Sequence, residues 1–160
     1  MTVTYVHKDA QARTLTITSE FSAPIEHVWQ LWQDPRLLER WWGPPTYPAT
    51  FVDHELRVGS VVNYFMTGPG GDQPRAWWRV LDVEEPHLLR FDSGFSDEDG
   101  QPSTTMPFMT NRVTLSEQPG GVTRMAIETT FSSDGDMEKI LSMGMEEGMM
   151  AAQSQIDALL

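Results

Sequence analysis

The chain has 160 residues, no cysteine, and 11 basic against 23 acidic side chains, giving a formal net charge of −12. That length suits a single domain, 1–160, which buries about two-thirds of its unfolded surface in one core without covalent staples. Missing thiols exclude disulfides, thiolate metal sites and cysteine nucleophiles and suit the reducing cytoplasm, while the negative charge repels phosphate backbones and anionic headgroups, so nucleic acid is not an expected partner.

No basic region followed by an apolar run opens the chain. No stretch approaches the ~20 apolar residues of a spanning helix, so neither secretion nor membrane insertion is expected. From Arg13, Leu15 and Ile17 alternate with Thr14, Thr16 and Thr18, which predicts a half-buried strand. Ser22 before Ala23-Pro24 reads as a helix cap, and Ile25, Val28, Trp29 and Trp32 follow at helical spacing. Asp34-Pro35 repeats the start signal for a second short helix carrying Leu37, Leu38 and Trp41, stopped by Gly43-Pro44-Pro45.

Strands are then expected around Phe51 to Leu56, Val61 to Met66, Arg75 to Val83, Leu88 to Ser93, Thr110 to Ser116 and Val122 to Phe131. Their separators, among them Gly68-Pro69-Gly70-Gly71 and Gln118-Pro119-Gly120-Gly121, are turn signals at hairpin spacing, so an antiparallel meander is predicted. Gly94 to Pro107 is too polar and too often broken for an element and reads as a surface loop. A last helix starts at Ser133 or Asp134, with Asp136 and Glu138 in its first turn, and is expected to run to the C-terminus. Gly144 and Gly148 inside it cost about 1 kcal/mol each relative to alanine, which marks a close approach or a hollow stretch.

Several of these segments resemble the activator of heat-shock-protein-90 ATPase homologue-like group of the START-like (SRPBCC) superfamily. The resemblance is carried by Phe21-Ser22-Ala23-Pro24-Ile25 through Trp29, Asp34-Pro35 leading to Trp41-Trp42-Gly43-Pro44, and Glu55-Leu56-Arg57-Val58-Gly59. Glu85-Pro86 before Leu89, Gly120-Gly121-Val122-Thr123-Arg124, and Gly148-Met149 ahead of Ile156-Asp157-Ala158-Leu159 extend it to the C-terminus. It implies an α+β helix-grip fold: a curved antiparallel sheet of about seven strands, two short helices after strand 1, and a long C-terminal helix with a pocket beneath it. Superfamily members bind lipids, hormones or polyketide-like molecules, and some cyclise or dehydrate them. The chain departs from the family pattern at Glu55, Ser60, Trp78 and Met149, and at Trp78 a bulky ring stands where a small residue is common.

Apart from Met1, five of nine methionines lie between Met137 and Met150. Such a wall adapts to varied apolar guests, although the same side chains also serve to fill gaps in an ordinary core. The proposed lining comprises Trp42, Phe51, Phe65, Trp77, Trp78, Phe91 and Phe108, with Met109, Met125, Leu141, Met145 and Met149. Trp41 and Tyr64 belong to the same set of rings able to line a concave sheet. Alternation sends only one of Trp77 and Trp78 inward, and the local pattern fits either.

The segment Asp53-His54-Glu55 is the best acid/base candidate, with a solvated face or ion pairs to Arg57 or Arg79 as the plainer reading. His7, His27 and His87 lack metal-ligand spacing, as does His54. No catalytic signature, phosphate loop or dinucleotide fingerprint is present, so no cofactor and no metal are expected. The leading expectation is binding of a small hydrophobic or aromatic molecule. A polyketide cyclase-like or hydrolase-like enzyme is the alternative, and a chaperone-interacting module comes last. A homodimer is left open.

Overall fold

The computed structural model describes residues 2–160, with side chains from Tyr5 onward. Its strands are β1 (Thr2–Asp9), β2 (Thr14–Phe21), β3 (Ala49–Asp53), β4 (Val61–Met66), β5 (Arg75–Glu84), β6 (Leu88–Phe95), β7 (Met109–Gln118) and β8 (Val122–Phe131). They form one antiparallel sheet in the order β1-β2-β8-β7-β6-β5-β4-β3. The expected meander is therefore present from β3 to β8. Helices α1 (Ile25–Gln33) and α2 (Pro35–Leu38) carry the chain from β2, inside one edge, to β3 at the other.

Two sequence expectations are corrected. The sheet has eight strands rather than about seven, because β1 pairs with β2 through a turn in which the Asp9 carboxylate accepts from the Gln11 and Ala12 N–H groups at 3.0 and 3.1 Å. The two short helices accordingly follow the second strand. The long terminal helix is instead α3 (Asp134–Ser142) and α4 (Met145–Gln153), followed by a 3-10 turn at Ile156–Leu159. Gly144 separates them with φ of 90°, a left-handed conformation that glycine adopts without the Cβ clash other residues suffer.

Caps explain the other helix boundaries. Ser133 accepts from the Asp136 N–H to start α3, and Asp34 accepts from the Arg36 N–H to start α2. The expected cap at Ser22 is not used: α1 starts after Pro24, with no side-chain cap.

Alternation on β2 buries Leu15, Ile17, Ser19 and Phe21 and turns the threonines outward. The buried residues form two clusters. The larger contains five of the six tryptophans: Trp32 meets Trp41 edge-on at 4.8 Å and Trp42 at 5.6 Å, and Trp78 stacks on Phe91 at 4.1 Å, with Trp29 beside them. The Trp41 indole N–H donates to the Leu31 carbonyl at 2.9 Å. The smaller cluster joins Leu15, Ile17 and Phe131 to Met137 and Ile140 of α3, and Met149 of α4 packs against both.

Two polar contacts tie the last residues over this interior. Ser19 Oγ donates to Gln153 Oε1 at 2.8 Å, and Gln155 Nε2 donates to the Gly43 carbonyl at 2.7 Å. At Gly43 the main chain folds back closely on itself, since a Cβ there would lie 2.0 Å from the Tyr47 carbonyl oxygen. The aromatic turn is thus pinned between β3 and the C-terminus.

Candidate ligand-binding cavity

A cavity of about 250 Å3 lies where the two clusters stop short of each other. The α3–α4 junction roofs it with Ile140, Met143, Gly144, Met145, Gly148 and Met149, while β4, β6 and β7 supply Tyr64, Met66, Ser93, Phe95, Met109 and Asn111. Trp42 and Pro44 complete the wall. Five of these residues are methionines, whose unbranched thioethers adapt to the shape of a guest. Met143 is 56% exposed and stands at the mouth.

Gly148 explains part of the space. A Cβ added there would meet no heavy atom within 4 Å, so this glycine leaves room rather than permitting a close contact. The hollow-stretch alternative drawn from sequence is the one observed.

The cavity carries no charged side chain, and its polarity comes from the sheet. Thr129 Oγ1 donates to Asn111 Oδ1 at 2.9 Å, and Asn111 Nδ2 donates to Ser93 Oγ at 2.8 Å. All three residues are buried. Burial also pushes the Tyr64 phenol up, against the smaller opposing effect of the Trp42 and Trp78 indoles, so its hydroxyl stays protonated at neutral pH.

Of the twelve residues singled out as lining, Trp42, Met109, Met145 and Met149 border this cavity. Phe51, Trp78, Phe91 and Met125 face inward but belong to the packed core, at 0–2% exposure. Leu141 packs beside the smaller cluster. Phe65 and Trp77 occupy the outer face of the sheet, where the Arg75 guanidinium lies 5.4 Å from the Phe65 ring centre and the Trp77 N–H donates to the Phe95 carbonyl. Phe108 is exposed and approaches Trp77 at 6.4 Å. Sequence reasoning passed over Ser93, Asn111 and Thr129. Their signal was polarity at inward positions of otherwise apolar strands, as in Phe91, Ser93 and Phe95.

The acid/base candidates are not brought to the cavity. Asp53 and Glu55 are exposed, the first accepting from Asn63 Nδ2 at 3.2 Å and the second 3.5 Å from Arg57. His54 lies under the core, edge-on to Phe51 at 5.8 Å and to Trp78 at 6.3 Å, and its Nε2 has no hydrogen-bond partner. Among the described residues no cluster of three or more histidines, aspartates or glutamates is placed to hold a metal ion.

The family model described as activator of Hsp90 ATPase homolog 1-like protein matches residues 22–160. The chain belongs to this family. A protein of known structure from Mycobacterium smegmatis, Ms6760, is 48% identical over 99% of this chain and 97% of its own, with a TM-score of 0.91. One from Arthrobacter aurescens is 49% identical over 99% and 91%, with a TM-score of 0.94. A protein from Silicibacter pomeroyi that bears the family name is 20% identical over 91% and 95%, with a TM-score of 0.71, and shares the fold. No curated protein matches the chain. Among the described residues of this activator-homologue-like chain, no helix is long and apolar enough to cross a membrane.

His54 is expected to make the stability of this family member sensitive to acid. Burial lowers its pKa from 6.5, only partly offset by main-chain groups of Trp32 and His54. The unfolded chain therefore takes up a proton more readily than the folded one, and the stability held by the neutral imidazole is present above about pH 6.5 and lost as pH falls below it. Urea midpoints measured at pH 7.5 and 5.5 are expected to drop further for the native protein than for His54→Gln. Equal drops would place the response elsewhere.

Proposed function

We propose that this protein binds a small, predominantly apolar molecule in the cavity beneath the α3–α4 junction, in the cytoplasm. The reading is supported by one observation, a methionine-rich cavity of about 250 Å3 between the sheet and the α3–α4 junction. That volume lies between the ~150 Å3 that accepts benzene and the 300–1,000 Å3 typical of drug-sized ligands. One or two fused rings fit it better than a long acyl chain or a tricyclic polyketide.

The cyclase or hydrolase alternative gains nothing from the position of Asp53, His54 and Glu55, because none of them borders the cavity. A chaperone partner is suggested only by the family description. Trp42 reports directly on binding, since its ring forms part of the wall. Titration with bicyclic aromatic compounds is expected to change tryptophan emission saturably and to one-to-one stoichiometry. A flat response across such a panel would reject the proposal.

A further inference from the structure

The hydrogen-bond order at the cavity floor has a direction, and it follows from an acceptor that cannot donate. Asn111 Nδ2 lies 3.4 Å from the Phe91 carbonyl oxygen, so the amide nitrogen, not its oxygen, must face that strand. Asn111 Oδ1 is then left to accept from Thr129, and the second amide hydrogen goes to Ser93 Oγ. Ser93 is consequently an acceptor towards Asn111, and its own hydroxyl hydrogen remains to be donated. No acceptor for it exists among the described residues, although Ser93 is 8% exposed and lines the cavity. A buried donor in that position costs free energy until something accepts from it.

The register fixes where this donor points. Ser93 pairs with Trp78 on one side and Met109 on the other, so its hydroxyl is set among an aromatic ring and a thioether. Tyr64, on β4, lines the same cavity and carries a phenol that stays protonated. No lysine, arginine, histidine or carboxylate lines it, so a charged group held inside would lose hydration without gaining a counter-ion.

We propose that the cavity selects neutral mono- or bicyclic aromatic molecules bearing a carbonyl oxygen, which accepts a hydrogen bond from Ser93. This rests on the reading that the cavity binds a small apolar molecule, and it adds the class of that molecule. Trp42, Tyr64 and Phe95 supply the aromatic walls, and the relay through Asn111 to Thr129 keeps the Ser93 hydrogen turned inward.

Equilibrium dialysis with three probes of nearly equal shape tests it: 2-acetonaphthone, 2-ethylnaphthalene and 2-naphthoate. The ketone is expected to bind about five- to tenfold more tightly than the hydrocarbon, the yield of one hydrogen bond, and the carboxylate more weakly than the ketone. Ser93→Ala should bring the ketone-to-hydrocarbon ratio close to one while leaving the hydrocarbon's affinity within about twofold. Ser93→Cys, a poor donor of similar shape, should do the same and serves if the alanine variant does not fold.

A ratio near one in the native protein, a ratio unchanged in both variants, or a carboxylate that binds as well as the ketone would overturn the inference while the cavity reading stands. Failure of all three probes to bind would remove the cavity reading and this inference with it.

Discussion

Replacing Trp78 with alanine is expected to destabilise the protein by about 3–5 kcal/mol, the range seen when a buried tryptophan or phenylalanine is cut back and its space cannot close. Trp78 is fully buried, stacked on Phe91 at 4.1 Å and met edge-on by Trp42 at 4.9 Å and Phe51 at 5.6 Å. These partners stand on β6, β3 and the turn after α2, so no single shift of one element refills the site. Trp77→Ala removes a ring of the same size from the outer face and should cost less than half as much. Urea denaturation of both variants makes the comparison, and equal losses would contradict the assignment of faces.

Gly148→Leu is expected to weaken binding of a bicyclic ligand about tenfold to a hundredfold while the fold persists. At Gly148 a Cβ meets nothing, and the residue lines the cavity, so an isobutyl group there occupies the space the ligand needs. Overfilling a close-packed site costs about 1–3 kcal/mol, which converts to that loss of affinity. Gly148→Ala separates helix propensity from occlusion, because it should raise stability by about 0.5–1 kcal/mol with little effect on the ligand. Dialysis and urea denaturation of the two variants provide the measurements. Unimpaired binding by the leucine variant would move the ligand away from this cavity.

Much of the fold could be read from local pattern, because its causes are local. Leu15 and Ile17 alternate with threonine and lie on the buried face, Asp34 and Ser133 cap the helices they announce, and the Gly-Pro-rich separators do turn. The first strand was passed over although Thr2-Val3-Thr4-Tyr5-Val6 is rich in β-branched residues and Asp9 begins a side-chain-stabilised turn. The break in the last helix was legible only as a cost at Gly144, because the apolar spacing continues across it and carries no mark of its positive φ.

The site was harder to read, for a physical reason. Trp78 has Ala76 and Val80 two residues away, whereas Trp77 has Arg75 and Arg79 there but shares its alternation with Leu81 and Val83 farther along, so local pattern along β5 supports either face. It is resolved by pairing: Trp78 falls opposite Val62 and Ser93 on the inner face. Whether inward side chains touch or leave room depends on distances between strands and helices far apart in sequence. Ser93, Asn111 and Thr129 lie on three strands and become a relay only once β6, β7 and β8 are in register.

Thioether sulfur is the most readily oxidised atom type in this cysteine-free chain, and five such atoms border one chamber, with Met143 set at its entrance. Each sulfoxide would place a strongly polar oxygen on a surface that otherwise repels water, and reductases that act on methionine sulfoxide would restore it. If the chamber binds greasy guests as proposed, methionine rather than leucine at this lining would make that affinity depend on the redox history of the molecule.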